Sequence, residues 1–239
     1  MSSRWAESAL SWWEEAGVDT IVGETPRDWL TDPGPTAPKV TAAKAPASVE
    51  APAPAPAEPL PDDLPAFQAW LAATDAIPFA SPAMRRAAPV GDAASGLMAI
   101  TDMPSAAGDI FSDEAAALVE RMLAAIGRSR ETIYLAPFSP IRPPSGRIDK
   151  AGVQALTEVM RRHVGLVAPR ALLIFGDSCA RALLGITMTQ ARGRWHALET
   201  AGGPVRTLVT IRPEELLKQP KLKAHAWADL QMLMEELKP

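Results

Sequence analysis

Few residues in this chain have side chains that could do chemistry unaided, and their spacing narrows the choice. Cys179 is the single cysteine, so neither an internal disulfide nor a thiolate cluster can be assembled, because those need two to four sulfurs from one chain. His163, His196 and His225 lack metal-ligand spacing and have no cysteine or carboxylate set beside them. No G-x-G-x-x-G and no Walker loop follows the first apolar run, GLMAIT (96–101), which sets aside an ordinary nucleotide-binding α/β domain. What remains is charge. Residues 1–127 carry 7 Lys and Arg against 18 Asp and Glu, whereas residues 128–239 carry 17 against 10, so the halves stand at −11 and +7. The basic half offers a footprint for a polyanion, although solvated faces of mixed charge give the same count.

Such groups act only where secondary structure holds them. With 239 residues and 47% hydrophobic content, the chain can bury one substantial core. Residues 3–17 read as an acidic amphipathic helix, with Trp5, Ala9, Trp12 and Ala16 on one stripe and Gly17 as the stop. That helix either packs on the main domain or docks into the groove of a protein partner. The stretch from Pro33 to Pro61 is rich in Pro and Ala, cannot bury apolar surface and favours extended polyproline II. Three segments follow: a Trp-rich helix over 1–30, a disordered Pro/Ala linker over 31–63, and a globular domain over 64–239. Glu7, Glu14 and Glu15 stand where a secretory leader would be basic and then apolar, and no run reaches the roughly 18 apolar residues of a membrane span. The expected compartment is the cytoplasm, and the expected state a monomer.

Within the globular part, a short helix at 64–74 precedes alternating strands and helices. Candidate strands are GLMAIT (96–101), TIYLA (132–136), ALLIF (171–175) and VRTLVTI (205–211), short apolar runs of the kind a buried parallel sheet uses. Between them, Leu118, Val119, Met122, Leu123 and Ile126 fall on one helical face, and Val153, Leu156, Met160, Val164 and Val167 on another. A last helix at 224–237 is expected to bury Trp227, Leu230, Met234 and Leu237. The fold class is therefore α/β, three layers α/β/α around a mostly parallel sheet of about four strands. In such sheets a ligand lies beyond the carboxyl ends of the strands, so the loops that matter begin at Thr101, Pro137, Gly176 and Arg212.

From about Leu97 to Leu237 the chain resembles the iron-sulfur, family-four members of the uracil-DNA glycosylase superfamily. The resemblance rests on RMLAAIG (121–127) followed by Ser129 and Tyr134, on IRPPSGR (141–147), FGDSCARALLG (175–185), RGRWH (192–196) and RPEELLKQPKLK (212–223), five pieces in the family's order. The N-terminal WWEEAGVD also resembles extensions on some bacterial members. This likeness implies DNA, single-stranded or damaged, as the partner, and hydrolysis of an N-glycosidic bond as the reaction.

It also marks departures. The family's Gly-Glu-x-Pro-Gly loop is matched by Thr101, Asp102, Met103, Pro104 and Ser105, which keeps a carboxylate one methylene shorter and loses both glycines. Asp102 is thereby a candidate for the catalytic acid, or a turn cap, and Pro104 lies at the base. Phe111 falls where the family stacks a phenylalanine on the flipped base, or else it is a core residue. The asparagine that reads the pyrimidine edge is matched by Pro137, which offers neither a side-chain donor nor an N–H. The histidine that supports the departing base is matched by Arg212, an always-charged donor that stabilises a leaving oxyanion or binds a phosphate. Arg192, Arg194, Lys218, Lys221 and Lys223 suit contacts to a DNA backbone, which position a strand without reading it.

The four cluster cysteines are matched by Thr74, Ile77, Ile141 and Thr157, none of which ligates iron, so neither metal nor cofactor is expected and Ile77 and Ile141 are expected to form a hydrophobic contact instead. Three functions stay open: base excision with altered chemistry, DNA binding without catalysis, and a protein-interaction module on the same fold.

Overall fold

The computed structural model describes residues 59–77, 80, 81 and 84–238. The expected helix at 3–17 and the linker up to residue 58 lie outside the described residues. Among those described, no helix is long and apolar enough to cross a membrane.

Helix α1 (Leu64–Ala73) begins where Asp63 accepts from the Ala66 N–H at 2.8 Å and Pro65 takes the first turn, where its missing N–H costs nothing. The residues just before it are tied down as well: Arg162 donates to the Pro61 carbonyl at 3.0 Å and pairs with Asp62. The elements then run β1 (Val90–Gly91), β2 (Leu97–Thr101), α2 (Asp113–Ala125), β3 (Tyr134–Pro137), α3 (Lys150–Val167), β4 (Ala171–Phe175) and α4 (Asp177–Leu184). The chain ends with α5 (Met188–Ala191), β5 (His196–Thr200), β6 (Gly203–Thr210), α6 (Pro213–Lys218) and α7 (Lys223–Glu236).

The sheet has six strands in the order β1-β3-β2-β4-β6-β5. Its four central strands are parallel and are the four apolar runs of the sequence; the two edge strands are antiparallel additions. Neither edge strand has the apolar continuity of the central ones. β1 is two exposed residues, and β5 alternates exposed and covered positions as an edge strand open to solvent does.

Period-two alternation splits the core in two. Met98 and Ile100 face a cluster with Phe67, Leu156, Met160, Val164 and Cys179, while Leu97 and Ala99 face another with Ala115, Val119, Leu123, Leu230 and Leu233. Helices α1, α3 and α4 thus cover one face, and α2 and α7 the other. On α7 the expected stripe needs correcting. Ala226, Asp229, Leu230 and Leu233 are buried, Met234 and Leu237 are half-covered, and Trp227 is 40% exposed. The spacing 226, 229, 230, 233 is one helical face, and Trp227 sits about 100° from Ala226. What draws Asp229 inward is an ion pair: Arg192 reaches it at 2.8 Å and the Thr210 hydroxyl donates to it at 2.8 Å.

Candidate active site

β2 lies between β3 and β4, so the chain leaves β2 toward one side of the sheet and returns on the other. At such a switch point the loops diverge and leave a crevice. The loop after β2 is held open by main-chain bonds: Phe138 N–H donates to the Thr101 carbonyl at 2.7 Å and Ser139 N–H to the Asp102 carbonyl at 3.0 Å, continuing the parallel pairing past the strands. Its far end closes through Ser105 N–H to the Asp109 carbonyl at 2.7 Å.

Arg212 enters from the end of β6, as the residue before α6. Its aliphatic stem lies flat on Gly176, which follows β4 at φ 93°; a Cβ there would stand 2.3 Å from Arg212 Cγ and 2.5 Å from Cδ. Glycine is needed twice over, for the dihedral and for the approach. So directed, the guanidinium meets Asp102, with Nη1 3.5 Å from Oδ2; the acid is largely covered and the arginine side chain 42% exposed. Thr101, Asp102, Pro104, Ser105, Arg142, Arg212, Glu214 and Lys218 are among the walls of the resulting cleft, about 370 Å³ in volume. Beneath it Cys179 is fully covered, and burial pushes its thiol well above the ordinary range, which makes it inert packing.

Of the residues singled out from sequence, the structure brings Asp102, Pro104, Arg212 and Lys218 together at this cleft. Phe111 is not on its wall: it is 3% exposed and stands edge-on to Phe175, centroids 6.1 Å apart, in the core. Arg192 is engaged with Asp229. Arg194, Lys221 and Lys223 are exposed and away from the cleft walls, and Pro137 is buried at the end of β3 opposite Thr101. Three residues were missed. Arg142 sits inside the IRPPSGR piece, Glu214 follows the proline after Arg212, and Ser105 ends the β2 loop, so each lay within a noted motif without a pattern that marks it.

A family model described as the uracil DNA glycosylase superfamily matches residues 88–231, well over half of the chain. The chain belongs to the uracil DNA glycosylase superfamily. Its similarity to individual members is low: 26% identity over 153 residues with the type-4 uracil-DNA glycosylase of Pyrobaculum aerophilum, covering 59% of this chain and 78% of that protein. With the type-4 uracil-DNA glycosylase of Archaeoglobus fulgidus it is 24% over 140 residues, 54% of this chain and 68% of the other.

Within this superfamily the positions matched to cluster cysteines do not fit a metal centre. Ile77 and Ile141 are 2% and 0% exposed and belong to the same hydrophobic cluster. Thr74 accepts from the Ala76 N–H at 3.0 Å, and the Thr157 hydroxyl donates to the Val153 carbonyl at 2.7 Å, so both serve their own backbone. Among the described residues, no group of three or more His, Cys, Asp or Glu is arranged to hold an ion.

Proposed function

We propose that this protein binds DNA in the manner of a uracil-DNA glycosylase, with the cleft at the β2 and β6 loops receiving a base, and that its excision of uracil is weak or absent. The observation that carries the proposal is the 3.5 Å pair between Asp102 and Arg212.

Uracil excision breaks the bond between the sugar C1′ and the base N1. The electron pair leaves with the base, the sugar carries the positive charge, and water adds at C1′ while losing a proton. A carboxylate on the sugar side and a donor on the base side both assist, but only to the extent that they bind the separated charges more tightly than the substrate. In this cleft each candidate already has a counterion. Asp102 is neutralised by Arg212 before a sugar cation forms, and Arg212 by Asp102 before a base anion forms. Pro137, at the strand end where the family reads the pyrimidine edge, brings no side-chain donor or acceptor. Base selection is lost in kind, whereas charge support is only altered. The same neutralised pair favours a second reading, a domain that binds DNA and does no chemistry.

The test is release of uracil from single-stranded DNA at stoichiometric protein, beside a type-4 relative. Loss of one preorganised donor costs about 10²–10³ in rate, and the expected release is lower by at least that factor. Arg212→His alone restores little, and Arg212→His with Pro137→Asn restores more than either change singly. Robust release by the unmodified protein, abolished by Arg212→Ala, overturns the proposal.

A further inference from the structure

The cleft is one of two adjoining depressions. The second, about 310 Å³, shares Pro104, Ser105, Ala106 and Arg142 with the first and adds Met84, Arg85, Gly108, Pro143 and Pro144. Two arginines shape it. Arg142 Nη1 donates to the Pro104 carbonyl at 3.1 Å, and Arg85 Nη1 donates to the Ala107 carbonyl at 2.6 Å. The Arg85 stem lies over Gly108, φ 91°, where a Cβ would stand 2.5 Å from Arg85 Cδ. Each guanidinium is therefore held in place by one of its five N–H groups, and the others are free for acceptors. Among the described residues neither arginine has a carboxylate partner. Ser105, on the wall common to both depressions, keeps its Oγ buried without a hydrogen-bond partner.

The two depressions differ in charge make-up: both carry an excess of cations, but only the first has carboxylates on its wall. The first mixes Arg212, Arg142 and Lys218 with Asp102 and Glu214; the second has Arg85 and Arg142 and no carboxylate on its wall. A phosphate next to Asp102 and Glu214 would meet two negative groups, whereas a neutral base would not. In the second depression a phosphate meets two fixed guanidinium forks, and Met84, Pro143 and Pro144 give an apolar face to the attached sugar or base.

We infer that the Arg85–Arg142 depression is a subsite for the phosphate flanking the base that enters the Asp102–Arg212 cleft, so that the protein grips a DNA strand over at least two nucleotides. The inference rests on the DNA-binding reading above and adds to it which residues hold the backbone. Residues suggested by charge alone, Arg194, Lys221 and Lys223, lie away from both depressions.

The experiment measures anisotropy of the full chain with short single-stranded DNA carrying one uracil, at several salt concentrations. Its arms are the unmodified protein, Arg85→Ala and Arg85→Lys, on an all-phosphate strand and on strands with a single neutral methylphosphonate either side of the uracil. Arg85→Ala is expected to weaken binding about tenfold and to lower the slope of log K against log salt by about 0.7, one single-strand phosphate contact. One of the methylphosphonate strands should weaken the unmodified protein similarly and cost Arg85→Ala nothing further, with Arg85→Lys in between. Additive losses from Arg85→Ala and from both neutral linkages, or an unchanged salt slope, overturn the subsite and leave the DNA reading standing. Absence of any binding by the unmodified protein overturns both.

Discussion

His163 sets an acid limit on the fold that can be worked out from its surroundings. The ring is 1% exposed, packs against Phe67 with centroids 4.9 Å apart, and has Nε2 2.9 Å from the Tyr134 hydroxyl. That hydroxyl also accepts from Gln68 at 2.7 Å, so the ring sits in a closed polar pair inside an apolar cluster. Protonating the ring would put a charge in an apolar core. Burial accordingly lowers the His163 pKa from 6.5 to about 4. Because the unfolded chain takes the proton first, this contribution to stability is complete above pH 6.5. It falls as the pH drops from 6.5 toward 4 and changes no further below that. At about 1.4 kcal/mol per pH unit, the difference amounts to about 3 kcal/mol. Asp229 works the other way, since burial raises its carboxyl despite Thr210 and Arg192, so the total curve mixes both. Urea unfolding of the unmodified protein and of His163→Gln, at pH values from 7.5 to 4, isolates the histidine, because Gln keeps an acceptor for Tyr134 and does not titrate. The variant should be less stable at pH 7.5, and the gap should close by about 3 kcal/mol by pH 4. A gap independent of pH would refute the assignment.

Gly176→Ala should cost about 1–3 kcal/mol from its dihedral alone and displace Arg212 from Asp102; its DNA affinity should match that of Arg212→Ala, and the double variant should be no worse than either. Asp229→Ala leaves Arg192 partly buried and unpaired, and should lower unfolding free energy by about 3–5 kcal/mol, read by urea titration. Purified protein should be colourless and free of stoichiometric iron and sulfide, and Ile141→Ala should cost about 2–5 kcal/mol as a core truncation, measured by thermal unfolding.

The four parallel strands were legible because each holds a short, mainly apolar run: β2, β3 and β4 are buried along their whole length, and β6 is buried from Thr207 to Thr210 with Arg206 exposed before it. β5 was not, because HALET mixes classes as an edge strand does, and β1 is too short to have a period. Trp227 was misread by treating apolar type as burial: the buried face runs through Ala226, Leu230 and Leu233 and takes in Asp229, whose partner Arg192 lies 37 residues away in sequence. In the cleft, Asp102 and Arg212 were legible as loop positions beyond strand ends. Their mutual pairing was not, since it depends on Gly176 admitting the arginine stem. Arg142 and Ser105 acquire meaning only once two loops far apart in sequence are brought side by side.

The positions of these loops depend little on the side chains that would do chemistry. The β2 loop is held by N–H groups of Phe138 and Ser139 from the next strand's loop and by arginine bonds to the Pro104 and Ala107 carbonyls. Ile77 and Ile141 pack in the core, and Thr74 and Thr157 bond to their own backbone. Main-chain carbonyls and apolar packing are indifferent to whether residue 137 reads a pyrimidine or residue 212 is an imidazole. The cleft can therefore keep its shape while the side chains on its wall change, which would let affinity and chemistry vary separately. Substitutions at Arg85 should move DNA binding and its salt dependence, whereas Pro137→Asn and Arg212→His should move the rate of base release and leave the backbone grip intact.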